Sequence, residues 1–203
     1  MCITIHELAH GYAAYKLGDS TAKDLGRLTL NPIKHIDPVG LLMMLLIGFG
    51  WAKPVPVDMR NFKHPKWYMA VTAIAGPLSN ILLAAVVMFF YGLFYTSLSG
   101  SALGSTINIL ILNTVLLSVA LAVFNMLPIP PLDGSKVLFS LLPENLYYKL
   151  MRYERYGIIV LLVVMNSELI FGIDLFRRTI GQLSGTIVGY ISVLSEAAFR
   201  IVN

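Results

Sequence analysis

The sequence predicts an all-α polytopic membrane protein. It should have about four membrane helices, the first of them short, with a small β-hairpin or re-entrant element and a C-terminal amphipathic helix. Three observations carry this reading. Of the 203 residues, 57% are hydrophobic and only 13% charged, where a soluble domain carries roughly 25% charged residues. No charged residue occurs between Lys66 and Asp133, which leaves room for two spans of about 20 residues and a turn. A third uncharged run begins after Arg155.

In chain order, a helix from Met1 to Leu17 comes first and ends at Gly18-Asp19-Ser20. At 1.5 Å per residue it is about 25 Å long, short for a hydrocarbon core of ~30 Å. Either it enters the bilayer only part-way or the chain begins further upstream. Arg27 to Leu30 alternates like a short strand, and Asn31-Pro32 and Asp37-Pro38 mark turns after it. The apolar run Val39 to Gly50, with Gly48 and Gly50 near its end, is too short to span and reads as re-entrant or interfacial. Trp51 to Val57 reads as an extended edge strand, because Pro54 and Pro56 cannot donate to a ladder.

Next comes a membrane helix from about Trp67 to Tyr95, interrupted at Ala75-Gly76-Pro77-Leu78-Ser79-Asn80, and a second runs from about Ile107 to Met126. Pro128, Pro130 and Pro131 stop it. Ser135 to Leu142 reads as a short helix, Glu144 to Arg155 as a polar amphipathic one, and Tyr156 to Ile173 as a further membrane helix. The tail from Thr179 to Val202 has a wide apolar stripe of Ile180, Leu183, Ile187, Ile191, Leu194, Ala198 and Ile201. On another face Gly181, Gly185 and Gly189 recur every fourth residue, a pattern that lets a neighbouring helix approach closely. The neighbour is either the Tyr156 helix or a second copy, so a homo-oligomer is one expectation. The whole chain, 1–203, reads as one membrane-embedded domain, with residues 175–203 its amphipathic or membrane-associated end.

Orientation is set by the basic residues. Twelve of the fifteen lie before the Trp67 helix or between the Ile107 and Tyr156 helices, and the turn Thr96 to Thr106 has none. The positive-inside rule makes that side cytoplasmic. The net charge of +4 is thus explained by membrane flanks and gives no indication of a nucleic-acid partner. Arg177 and Arg178 fall on the other side if the last helix crosses fully, which leaves the C-terminal topology open.

Chemistry enters with His6-Glu7-Leu8-Ala9-His10. Positions i and i+4 share one helix face, so His6 and His10 can grip one zinc ion while Glu7 reaches its water. The motif lies among Ile3, Ile5, Leu8 and Ala9, where unpaired ionisable groups are expensive. A third protein ligand is needed, and the candidate is Asp133. The first helix and the Ile107 helix carry His10 and Asp133 to the same leaflet. Zinc, two neutral histidines and one aspartate carry +1, which an ionised Glu7 neutralises. The competing reading of Asp133 is a helix N-cap ahead of Ser135. Cys2, the single cysteine, lies one turn before His6 and reads as a small buried apolar residue rather than a ligand. His35 and His64 have no metal-ligand spacing to a partner, and Glu168 marks an interfacial end beside Asn166 and Ser167.

With these motifs the chain resembles the site-2 protease family of zinc intramembrane proteases, in its compact prokaryotic branch without a regulatory soluble domain. His6 to Gly11 matches the zinc motif, Gly76 to Asn80 a second motif, and Asn125 through Asp133-Gly134 a third. Arg27 to Pro32 and Gly50 to Val57 resemble that branch as well. The resemblance implies His6, His10 and Asp133 as zinc ligands, Glu7 as general base, and Asn80 and Asn125 near the site. Each amide is suited to orienting substrate or donating to a tetrahedral oxyanion, or alternatively to interhelical hydrogen bonding.

The expected function is zinc-dependent cleavage of a membrane-spanning protein substrate within the lipid bilayer, near the cytoplasmic face of the cell membrane. Lys53, Val55 and Val57 would hold the unwound substrate by strand addition. The alternatives are an inactive metal-binding scaffold of the same fold and a metal transporter. Transport calls for ligands spread along a path, whereas the polar groups here converge at one depth.

Overall fold

The computed structural model describes residues 1–47, 50–98, 101–168 and 175–202. It is helical throughout its regular parts, as the composition requires. Helix α1 covers Cys2–Lys16, α2 Thr21–Asp24, α3 Pro38–Ile47, α4 Pro65–Leu98, α5 Ala102–Asn125, α6 Asp133–Ser140, α7 Glu144–Tyr153, α8 Gly157–Met165 and α9 Leu175–Val202. Among the described residues two helices are long and apolar enough to cross a bilayer, Pro65–Leu98 and Leu103–Asn125. Their surfaces carry exposed Leu82, Phe90, Leu110 and Leu117, the pattern of helices whose outer face meets lipid rather than water.

Helix α4 is the spine, with α1, α5 and α9 all packed against it. The apolar core lies where α4, α5 and α9 meet: Ala84 and Met88 from α4, Val115, Val119 and Val123 from α5, and Ile191 from α9. The tail therefore docks on the bundle through Ile180, Ile187, Val188 and Ile191. Leu183, Leu194 and Ile201 of the expected stripe stay exposed. A side chain added at Gly181, Gly185 or Gly189 would meet nothing within 4 Å, so among the described residues the Tyr156 helix does not cover that face. The expected helix Tyr156 to Ile173 is seen as α8; residues 169–173 lie outside the described residues, as do Gly48 and the centre of the Thr96 to Thr106 turn.

Two expectations are corrected. The Gly76-Pro77 motif does not interrupt its helix: α4 continues through Pro77 from Pro65 to Leu98. Proline costs the helix one backbone bond, the one the Ala73 carbonyl would receive, and membrane helices tolerate that loss. The second correction concerns β-structure. No strand forms among the described residues, neither at Arg27 to Leu30 nor over Trp51 to Val57, and a single antiparallel bridge joins Ile36 to Ala52. Lys53 N–H donates to the His35 carbonyl at 2.9 Å, Val55 N–H to the Glu7 carboxylate, and Arg27 to the Lys53 carbonyl. Groups that a ladder would pair are spent on side chains and one loop carbonyl, and the two prolines donate nothing.

The polar surface around α1 is closed by Asp19, which is fully buried. Its carboxylate accepts from Thr21 N–H and Oγ1–H, from Asn61 Nδ2 and from Asp58 N–H. Burial alone would raise this carboxyl, but the four donors outweigh it and hold it below the ordinary carboxylate range.

Candidate metal centre

His6 and His10 lie on the buried face of α1, at 4% and 9% exposure. That face is against α4, and α4 is shaped to receive it. A Cβ at Gly76 would sit 2.3 Å from His10 Nε2 and 2.8 Å from His6 Cε1, so only glycine leaves the imidazoles room. The third residue arrives from α5. After Asn125 the chain turns through its proline loop, and α6 begins at Asp133 with Leu132 as its N-cap residue. Gly134 allows the turn, because a Cβ there would meet the Met126 carbonyl at 2.2 Å. Asp133 is thus the first helical residue and makes no cap hydrogen bond, contrary to the N-cap reading; Ser135 Oγ bonds the Leu132 carbonyl instead.

The three side chains meet at one point. His6 Nε2 lies 3.0 Å from His10 Nε2, and each lies 3.2 Å from Asp133 Oδ2. Among the described residues they form the one group of three or more such side chains suited to a metal, with ligand atoms within 4.8 Å of one another. Tetrahedral zinc with ligands at about 2.0–2.1 Å needs its ligand atoms about 3.3 Å apart, and this triangle is that size. The donor set fits in kind as well, since three lone-pair acceptors turned on one point repel unless a cation joins them.

The other nitrogens point outward to α4. His10 Nδ1 is 2.7 Å from the Thr72 carbonyl, and His6 Nδ1 is 3.1 Å from the Asn80 amide. Asn80 is fully buried, and the structure places it beside a candidate ligand's ring. Asn125 bonds back to the Leu121 carbonyl of its own helix. Glu7 is half-buried and its Oε2 accepts the Val55 N–H at 2.9 Å. This joins the predicted base to the segment holding Lys53, Val55 and Val57. Cys2 Sγ points away, to the Thr114 carbonyl of α5 at 3.8 Å. His35 is buried and bonds the Thr29 carbonyl, His64 stacks edge-on against Tyr68, and Glu168 is exposed.

Sequence reasoning missed Gly76 as the gap for the imidazoles and Thr72 as an acceptor. The signal was present: Thr72, Gly76 and Asn80 recur every fourth residue, on one helix face.

Comparison with known proteins gives the family. Residues 95–166 match the family model described as peptidase family M50. Over 172 residues, 82% of this chain and 77% of the relative, the chain is 45% identical to a Bacillus subtilis protein provisionally named zinc metalloprotease YwhC. It is 28% identical over 170 residues to a Mycolicibacterium smegmatis protein provisionally named zinc metalloprotease Rip2, covering 81% of this chain and 63% of the relative. A Mycobacterium tuberculosis protein of the same name is 26% identical over 178 residues, covering 84% of this chain and 65% of the relative. The chain thus spans just under two thirds of the two Rip2 relatives. No solved structure matches it. On these grounds the chain belongs to peptidase family M50, the site-2 protease family of zinc metalloproteases.

Proposed function

We propose that this metalloprotease cuts the transmembrane segments of partner proteins, with its centre inside the bilayer near the cytoplasmic face. The observation that supports it most is where the three ligand atoms converge. They meet over Gly76, eleven residues into the membrane-length helix α4 and so about 16 Å from the end that begins at Pro65. The basic residues before Trp67 mark that end as cytoplasmic. In this topology α4 and α5 cross the membrane, α1 and α8 supply the outer helices, and α3, with Leu41, Leu42, Met44, Leu45 and Leu46 exposed, lies in the bilayer surface.

His6, His10 and Asp133 would hold the zinc. Bound there, zinc would supply Lewis acidity toward the scissile carbonyl and would lower the pKa of a water toward ~7. Glu7 takes the proton of the water that attacks the scissile carbonyl and passes it to the amine nitrogen as the C–N bond breaks, returning to the carboxylate. The Val55 N–H holds one Glu7 oxygen and leaves the other for that exchange. The Asp133 loop and α4 bury the imidazoles. A helical substrate hides its carbonyls in its own hydrogen bonds and must unwind first. Laid along Lys53 to Val57, it lies beside Glu7. Lys53 and Val55 already spend their N–H groups within the chain, so pairing falls to Val57 and the segment's carbonyls.

The test is cleavage of membrane-spanning peptides in liposomes by purified protein, with the cut located by mass spectrometry, beside Glu7→Gln. A cut within the apolar segment, near its cytoplasmic end and absent from Glu7→Gln, is the expected result. Cleavage confined to soluble peptides would overturn the intramembrane reading.

A further inference from the structure

A neutral histidine that ligates a metal through Nε2 carries its proton on Nδ1, and a buried N–H there needs an acceptor. His10 has one in the Thr72 carbonyl, 2.7 Å from its Nδ1. For His6 the atom in reach is on Asn80: its Nδ2 stands 3.1 Å from His6 Nδ1. Asn80 is fully buried, and its Oδ1 has no hydrogen-bond partner. In that orientation a protonated Nδ1 faces an NH2 group, donor against donor, while the buried amide oxygen has no partner. Oxygen and nitrogen of an amide exchange places by a half-turn about the terminal bond. The exchange gives His6 its acceptor and the amide oxygen its donor in one step.

We propose that Asn80 is the positioning residue of His6: its amide oxygen accepts the Nδ1–H, fixing the tautomer and ring plane that present Nε2 to the metal. This rests on reading His6, His10 and Asp133 as the metal centre. Helix α4 then serves both histidines on one face, with an acceptor at Thr72, a gap at Gly76 and an acceptor at Asn80. The Asn80 end is itself anchored, since buried Ser118 of α5 donates its hydroxyl to the Asn80 main-chain carbonyl at 2.9 Å. Packing between α4 and α5 is thereby coupled to the orientation of a ligand on α1.

The proposal is tested by zinc affinity, measured by chelator competition on the purified full chain without reference to proteolysis. Asn80→Leu should weaken zinc binding by roughly 10–100-fold. Asn80→Asp, which keeps an acceptor and cannot donate, should bind at least as tightly as wild type. Equal losses in both variants, or wild-type affinity in Asn80→Leu, overturn it. A second measurement needs no variant: long-range proton–nitrogen correlation on histidine-labelled, zinc-loaded wild type should show His6 protonated at Nδ1, and an unprotonated Nδ1 overturns the proposal. Retention of zinc by both His10→Ala and Asp133→Ala would instead show the metal-centre reading itself to be wrong, a pattern separate from that of the Asn80 pair.

Discussion

Glu7 Oε2 accepts the backbone N–H of Val55 at 2.9 Å, so the predicted general base and the predicted substrate-holding segment are joined by one hydrogen bond. The bond takes up an N–H that a strand over Trp51 to Val57 would have offered to a ladder. It also separates Glu7 from the ligand set, since one carboxylate oxygen is held on a peptide group rather than turned to the imidazoles.

Binding and chemistry should therefore come apart on mutation. Glu7→Gln should keep about one zinc per chain and lose proteolysis, because the base is not a ligand. His10→Ala and Asp133→Ala should lose both. Zinc content by atomic absorption beside a peptide-cleavage assay reads the two separately. Full proteolysis in Glu7→Gln would remove the base mechanism.

Gly76 gives a steric prediction. A Cβ there lies 2.3 Å from His10 Nε2, so Gly76→Ala must push the imidazoles off the ligand point or part α1 from α4. Zinc affinity should fall by at least about tenfold, comparable to loss of a group that orients a ligand. The loss should come with a smaller effect on helix content, because alanine favours a helix over glycine by about 1 kcal/mol. Wild-type zinc affinity in Gly76→Ala would contradict the close packing of α1 on α4.

What the sequence revealed and what it hid divides along the range of the interaction. The His6–His10 pair is local, one turn of one helix, and could be seen directly. Asp133 could be reached because three ligands and charge neutrality are general demands of a buried metal site. The strand expected at Trp51 to Val57 does not form, because its backbone partners, the Glu7 carboxylate and the His35 carbonyl, are distant in sequence and Pro54 and Pro56 donate nothing. Pro77 was read as a break because in water it usually is one, whereas α4 runs through it. Asn80 was placed near the site by its motif, yet its contact with His6 spans 74 residues, and no local period encodes that.

Asp19 contributes a pH dependence to stability. Its carboxyl is held below the ordinary range by the donors of Thr21, Asn61 and Asp58, so the folded state prefers it ionised. That contribution is present in full above the unfolded pKa near 4 and fades as pH falls through the lower folded value. Asp19→Ala should lose about 1–3 kcal/mol near neutral pH and should close the gap to wild type as the solution is acidified below about pH 4. Thermal unfolding in detergent across that range measures it. A gap that stays constant with pH would show that the side chain acts through shape alone.

The last prediction concerns the glycine face of α9. Gly181, Gly185 and Gly189 share one side of that helix, while Ile180, Ile187 and Ile191 pack on α4 and α5 from the other. A side chain at any of the three glycines meets nothing within 4 Å among the described residues, so the chain's own packing does not require them. Each nevertheless costs the helix roughly 1 kcal/mol relative to alanine, and leucine is close to alanine on that scale. In a monomer, Gly185→Leu should then leave zinc ligation intact and hold or slightly raise the melting temperature. Size-exclusion with light scattering completes the measurement, because close approach of a second copy through small residues is an arrangement that a leucine would block. An unchanged mass with an equal or higher melting temperature is the expected outcome. A fall in mass would show instead that a second copy sits on this face, and a fall in melting temperature at constant mass would show that α9 is packed differently.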